Sequence, residues 1–339
     1  MKVAIDKEGW GTEWIEFCIE NNVEHIVVDC TVNNIIDQLV ELKVTHLMWH
    51  FSHLRPVDIL TARNVLFSVH NLGISVFPNF NGSWHFDDKV SQKYLLESID
   101  KTMMVPSYVF YTKESAFSFL EQSTFPIVAK LRRGAGSYNV ILLKSMTEGR
   151  RYVKRMFGRG LSPTPGFLAD TKNKLQVAGN WEGIKKKLKK APGFFRMVME
   201  GKKGFPKEKG YVYFQEFMPG NKEDLRVGIV GDKMWAVKRR VRENDFRASG
   251  SGMPSFDYSD IDTNLVSTMF KIYESIGAQS MSFDLVKNAN NEFVVVEISY
   301  GFLSSLFYEA PGYWNNRGEF INEVIKPERA IIIDFLKNE

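Results

Sequence analysis

Four short apolar runs within residues 1–80, KVAID, HIVVDC, HLMWH and ISVFPN, are separated by stretches of helical periodicity at 13–22, 35–42 and 57–72. A helix between two strands carries the chain back to the edge where the first strand began, so neighbouring strands run parallel. This part of the chain therefore predicts a small doubly wound α/β domain with helices on both faces of a parallel sheet. Ligands of such sheets lie beyond the carboxyl ends of the strands. That rule singles out Asp6, Lys7, Glu8 and Gly9 after the first strand, and His50, Phe51, Ser52 and His53 after the third, which read equally as loop residues without a role. The two histidines have no cysteine near them in sequence and sit on an expected loop, so no metal site is expected from them.

At 339 residues the chain can hold two or three domains, or one domain with a lid, and 44% apolar residues support a large core. The 44 basic residues against 40 acidic ones are too balanced for a protein devoted to nucleic acid. Anionic small molecules remain natural partners. Cys18 and Cys30, the only cysteines, are too few for a disulfide framework or a cysteine-only zinc site. No run approaches the roughly 20 apolar residues of a membrane span, and no apolar leader follows Lys2, so a cytoplasmic location is expected.

Residues 86–98 (FDDKVSQKYLLES) read as a helix with Asp88 as a cap and Lys89 in its first turn. A strand (SYVFYT), a helix at 113–121 and a strand ending at Lys130 follow, then the loop LRRGAGS at 131–137 and the strand YNVILLK. A Gly-rich turn between two strands differs from the P-loop and the dinucleotide fingerprint, both of which open a helix. Gly134 and Gly136 let backbone N–H groups converge on an anion, with Lys130, Arg132 and Arg133 adding charge. Residues 150–210, rich in Gly, Pro and Lys, read equally as a flap or as a solvated insertion. The strand YVYFQEFM at 211–218 precedes two strands, LRVGIVG and KMWAVKRRV, paired about Gly231 and Asp232. The polar loop DFRASGSG, a helix at 261–276 and a last helix at 327–337 complete the pattern.

Residues 280–301 read as a β-hairpin, SMSFDLV and EFVVVEIS joined by a polar turn containing Asn290 and Asn291. A two-residue loop would set Asp284 directly opposite Glu297, and a four-residue loop would set them diagonally. Either register keeps both carboxylates on one face with Ser282, Val286, Val295 and Ser299, leaving Phe283, Leu285, Val294, Val296 and Ile298 for the core. Two acids among valines suit a hard cation held under a cover, and an ordinary half-exposed hairpin would carry the same pattern.

A lysine at a strand end before a Gly-rich hairpin, the segment QEFM, a downstream DLR, a basic RR with DFR, and an Asp and a Glu on one hairpin occur here in that order. In this order of motifs, residues 86–299 resemble the ATP-grasp superfamily, and within it the carboxylate-amine ligases. These include the ribosomal-protein glutamate ligases, D-alanine:D-alanine ligase and glutathione synthetase. The resemblance implies an α/β N-terminal doubly wound domain at 1–85 plus an α+β ATP-grasp domain at 86–339, with a lid at about 105–215. It also implies ATP and two Mg²⁺ ions, a small-molecule carboxylate and an amine as substrates, and an amide formed through an acyl phosphate. Homo-oligomerisation is left open.

Carried over by position, Lys89 and Lys130 look like the lysines that contact nucleotide phosphates, and Arg133, Gly134, Gly136 and Ser137 like the lid over the β- and γ-phosphates. Gln215, Glu216, Phe217 and Met218 resemble the hinge that reads the adenine edge, with Asp224 at the ribose position. Arg226, Arg240 and Arg247 match positions that face phosphate or the acyl substrate, the last two as the catalytic pair. Asp284 and Glu297 resemble the metal ligands, and Ser299 stands where the family carries a third ligand, an Asn. Tyr300, Gly301 and Phe302 replace the family's Pro-Gly. PGYW at 311–314, with EISYGF before it, is similar to ATP-grasp proteins of surface-polysaccharide biosynthesis and suggests an acidic sugar as the carboxylate. An ATP-dependent small-molecule kinase and a nonenzymatic nucleotide-binding module would suit the same motifs.

Overall fold

The computed structural model describes residues 1–53, 55–133, 139–163, 207–240 and 254–337. Gly134, Gly136, Ser137 and Arg247 lie outside the described residues, as does most of the segment expected to be a flap or insertion. The chain forms two compact units, one of Met1–Phe86, Ser91–Val105 and Met218–Glu339, the other of Asp87–Val90 and Pro106–Phe217.

The first unit opens with β1 (Val3–Asp6), α1 (Gly11–Glu20), β2 (His25–Val28), α2 (Ile35–Glu41), β3 (His46–Met48), α3 (Pro56–His70) and β4 (Ser75–Phe77). The strands lie in the order β2-β1-β3-β4, every pair parallel. Gly11, Trp14 and Cys18 recur at helical spacing and give α1 its buried face. Gly11 leaves no room for a side chain: a Cβ there would lie 2.0 Å from the Asp6 carbonyl oxygen.

At the carboxyl ends of these strands Asp6 and His50 do structural work. Asp6 is buried, its Oδ1 accepting from the Glu8 N–H at 3.1 Å and its Oδ2 from the Cys30 N–H at 3.0 Å. The His50 ring stacks on Trp10 with centroids 3.8 Å apart and 6° between planes, and Nδ1 accepts the Trp10 N–H at 3.3 Å. Burial, reinforced by His53, pushes His50 down to about 3, so the imidazole stays neutral. A short helix α4 (Phe80–Ser83) follows, then α5 (Lys89–Asp100), which begins in the second unit and continues in the first.

The second unit carries β5 (Ser107–Phe110), α6 (Lys113–Gln122), β6 (Ile127–Lys130), β7 (Val140–Leu143), α7 (Met146–Met156) and β8 (Val212–Glu216). Its sheet runs β5-β8-β6-β7 and is antiparallel throughout. Thr112 and Ser145 cap α6 and α7 with their hydroxyls, satisfying N–H groups that have no partner inside the helix. Ala116, Leu120, Val153 and Met156 from the helices meet Ala129, Val212 and Phe214 from the sheet in a core of its own.

The remainder of the first unit is built on a larger antiparallel sheet. Its strands are β9 (Glu223–Val230), β10 (Lys233–Arg240), β11 (Pro254–Ser255), β12 (Ser280–Lys287), β13 (Phe293–Ser299), β14 (Tyr313–Asn315) and β15 (Phe320–Ile321). They lie in the order β13-β12-β9-β10-β14-β15, with β11 on β10. Helix α8 (Thr263–Ile276) is capped by Asp262, whose Oδ1 accepts the Leu265 N–H at 2.8 Å, and is ended by Gly277 at φ 68°. Its buried stripe, Leu265, Val266, Met269, Phe270, Tyr273 and Ile276, belongs to one core with Val227, Ile229, Met281, Phe283 and Leu285 of the sheet. The final helix, α9 (Pro327–Lys337), adds Ile331, Ile332 and Phe335.

The β12–β13 hairpin reaches the expected register by an unexpected route. Asn288 donates its N–H to the Glu292 carbonyl at 2.9 Å and accepts the Asn291 N–H at 3.0 Å, with Asn291 at φ 63°. The loop is thus three residues, Ala289, Asn290 and Asn291, rather than two or four. A bulge at Val296 then inserts one more residue, because Leu285 pairs with Val295 while Asp284 pairs with Glu297. The two irregularities cancel, and the carboxylates end directly opposite each other. The bulge also corrects the expected faces. Val295 joins the main core with Phe283 and Leu285, whereas Val294 and Val296 join Val286 in a separate small cluster with Val105 and Met218.

Candidate functional site

Cross-strand pairing builds a polar row over the larger sheet of the first unit. Glu297 on β13 lies opposite Asp284 on β12, Asp284 opposite Arg226 on β9, and Asp224 on β9 opposite Arg239 on β10. Period-two alternation puts these side chains, with Ser282, on one face. Arg226 grips Asp284 with a fork, Nε to Oδ1 and Nη2 to Oδ2, both at 2.7 Å. Arg239 grips Asp224 the same way, Nε to Oδ1 at 3.0 Å and Nη2 to Oδ2, and its Nη2 also lies 3.2 Å from Asp284 Oδ1.

Two aspartates and two arginines thus form a charge-balanced chain, in which Asp224 and Arg239 are 3% and 5% exposed. Forked guanidinium–carboxylate pairs of this kind are the ones that tolerate burial. Burial pushes the Asp284 carboxyl up, but Arg226 and Arg239 outweigh it and hold it well below the usual carboxylate range. Burial pushes Asp224 up to about 6 against the pull of Arg239. The Ser299 hydroxyl, two residues past Glu297, donates to the Gly301 carbonyl at 2.5 Å, and the Ser282 hydroxyl donates to the Ser299 carbonyl at 3.1 Å.

Arg240, read from sequence as a catalytic residue, is placed elsewhere. It is exposed and points to the opposite face of β10, where with Lys238, Lys287, Asp260 and Phe293 it lines a cleft of about 730 Å³. Arg239 is the arginine brought to the carboxylates, and the sequence held the signal for it. A hairpin turning on Gly231 and Asp232 sets Asp224 opposite Arg239 and Glu223 opposite Arg240. The valine cluster was also missed, because nothing in the pattern FVVVE marks a bulge.

In the second unit, Lys130 ends β6 and Lys89 begins α5, at 5% and 4% exposure. Lysine is rarely buried this far without a charged partner. The Lys89 N–H donates to the Arg132 carbonyl at 3.0 Å, which ties the start of α5 to the turn after β6. The Arg132 N–H donates to the Tyr211 hydroxyl at 2.6 Å, and that hydroxyl donates to Glu208 at 3.0 Å. Arg133 accepts a bond from Asn139 at 3.2 Å through its carbonyl. Gln215 is buried and donates to Ser107 Oγ at 3.0 Å, so its side chain is committed to the sheet. Glu216 is exposed and accepts the Tyr108 hydroxyl at 2.9 Å, and Phe217 is half-buried. Met218, in the first unit, belongs to the small valine cluster.

No protein-family model matches the chain, and no curated protein matches it. Among solved structures, a RimK-domain ATP-grasp protein from Sphaerobacter thermophilus matches along 100% of both chains, at 14% identity and a TM-score of 0.53. The fold is ATP-grasp. The N5-carboxyaminoimidazole synthase of Aspergillus clavatus, in complex with ADP and 5-aminoimidazole ribonucleotide, is 10% identical over 99% of this chain and 76% of its own, with a TM-score of 0.59. A biotin carboxylase of Campylobacter jejuni in a β-γ-ATP complex is 11% identical with a TM-score of 0.57, over 89% of this chain. This chain spans 65% of that carboxylase, slightly under two thirds of its length. No described helix is long and apolar enough to cross a membrane.

Proposed function

We propose that this chain is an ATP- and Mg²⁺-dependent ligase that joins a carboxylate to an amine through an acyl phosphate. The observation that carries the proposal is the row Glu297–Asp284–Arg226 with Arg239–Asp224 on one face of an ATP-grasp sheet. Phosphoryl transfer needs charge neutralised on several oxygens and an in-line arrangement, and little covalent chemistry from the protein.

The residues fit Mg²⁺. Two carboxylates stand directly opposite on neighbouring strands, with a hydroxyl two residues on, all hard oxygen donors. Mg²⁺ is usually held by one or two carboxylates plus waters and substrate phosphates. Asp284 and Glu297 would hold it, with Ser299 reached directly or through water. Bound there, it would neutralise the phosphate oxygens in flight. Arg226 and Arg239 supply fixed positive charge on the same face. Val296 and Met218, partly exposed over the buried Val105, Val286 and Val294, offer an apolar patch on which a purine ring can lie. Lys89 and Lys130 are assigned to phosphate and Glu216 and Phe217 to the adenine edge through their backbone, while the Asp224 carboxylate, expected at the ribose, is buried and taken up by the Arg239 fork.

The test is a panel of carboxylates and amines scored for ADP release. Release that requires both substrates supports the ligase, and release with an alcohol or a single substrate supports a kinase. ATP binding without turnover on any member would leave a binding module. An acidic sugar remains in the panel on the resemblance of PGYW, although Tyr313 and Trp314 of that segment are buried and pack with Trp235 and Tyr258.

Lys130→Met is expected to weaken ATP binding on the order of 10- to 100-fold, the cost of one charged hydrogen bond. Nucleotide titration beside a melting curve separates this from unfolding. Unchanged affinity in a folded variant would remove Lys130 from the phosphate site.

A further inference from the structure

Both oxygens of Asp284 are held by the Arg226 fork at 2.7 Å, and Arg239 stands 3.2 Å from one of them. The fork uses a lone pair on each oxygen and Arg239 approaches another, so a cation reaching Asp284 competes with both guanidiniums. Releasing Arg226 has its own cost, because its side chain is only 18% exposed and the one other aspartate of the row, Asp224, is already gripped by Arg239. A partly buried guanidinium without an anion is unfavourable. The exchange balances only when the incoming cation arrives with an anion for Arg226, as a metal-bound polyphosphate does.

Resting on the reading of Asp284 and Glu297 as metal ligands, we infer that Arg226 makes this site select metal–nucleotide over free divalent metal. It holds Asp284 until a phosphate can take its place. In thermodynamic terms Arg226 couples the two ligands positively, and the coupling is reciprocal: nucleotide strengthens metal binding by the factor by which metal strengthens nucleotide binding.

Mn²⁺ is the probe, with free Mn²⁺ read by electron paramagnetic resonance, with and without ADP. The proteins are the parent, Arg226→Gln, Arg226→Lys, Glu297→Gln and the double variant Arg226→Gln/Glu297→Gln. Without nucleotide, Arg226→Gln is expected to bind Mn²⁺ on the order of tenfold more tightly than the parent, within the usual range of coupling between two sites. Arg226→Lys should fall between, since one ammonium leaves the second oxygen open. The gain should vanish in the double variant, and ADP should tighten Mn²⁺ binding less in Arg226→Gln than in the parent. Arg226→Gln binding Mn²⁺ like the parent, while Glu297→Gln loses it, would overturn the exchange and leave the metal site standing. Glu297→Gln binding Mn²⁺ like the parent would remove the metal site and this inference with it. If Arg226→Gln does not fold, Arg226→Lys decides: tighter Mn²⁺ binding supports the exchange, and parental binding overturns it.

Discussion

Glu297→Gln is expected to lower Mg²⁺-dependent ADP release on the order of a hundredfold or more while leaving the melting temperature near the parent's. The amide keeps the shape and the position opposite Asp284, but an anionic ligand is lost, and metal stabilisation of transferring phosphoryl oxygens amounts to several kcal/mol. Asp284→Asn should lose as much activity and also some stability, because it removes one end of the Arg226 fork. Ser299→Ala should cost less and act chiefly on the Mg²⁺ concentration for half-maximal rate. Ser299→Asn, with a longer oxygen donor on the same face, should lower that requirement. Initial rates against Mg²⁺ at saturating ATP order the four variants. Parental rates in both carboxylate variants would make the hairpin a purely structural one.

Arg239→Met should destabilise the first unit by roughly 3–5 kcal/mol, the usual cost of stranding a buried charge. Asp224 is 3% exposed and takes both of its forked bonds from Arg239, and Asp284 loses its 3.2 Å neighbour as well. A fall in melting temperature on the order of 5–10 °C follows for a protein of this size. The second mutation, Asp224→Asn in the same chain, should restore most of it, since an uncharged pair leaves no ion unpaired. Arg240→Met, on the exposed side of the same strand, should change stability by less than about 1 kcal/mol. Thermal unfolding of the four proteins in nucleotide-free buffer is the measurement. If Arg239→Met and Arg240→Met melt alike, the buried Asp224–Arg239 pair does not stabilise the sheet.

Much of this is legible in the sequence. The alternation in residues 1–80 dictates parallel strands, and they pair parallel. The turn at Gly231 and Asp232 is where β9 meets β10, and the helix expected at 261–276 forms at Thr263–Ile276 with Asp262 as its cap. These features are local, written in periodicity, caps and turn residues that act within a few positions. Arg239 was equally local and was passed over for its neighbour. Counting back from the turn separates the two arginines, because adjacent residues of a strand face opposite ways.

The sequence by itself offered the candidates for the site: two acids on neighbouring strands, a lysine at a strand end, and arginines on the two strands beyond. Tertiary structure decided how they are used. A three-residue loop and the Val296 bulge together set Asp284 across from Glu297 and turn Val294 and Val296 to join Val286 beside Met218, two valines that the strand pattern alone assigned to the core face. The Arg226 and Arg239 forks come from strands 44 or more positions away from Asp284 in the chain, brought to it only by the sheet order β12-β9-β10. Short-range rules fix turns and faces. Which charge meets which depends on long-range pairing, and there the balance between burial and partner decides whether a carboxylate waits for a metal or is held by an arginine.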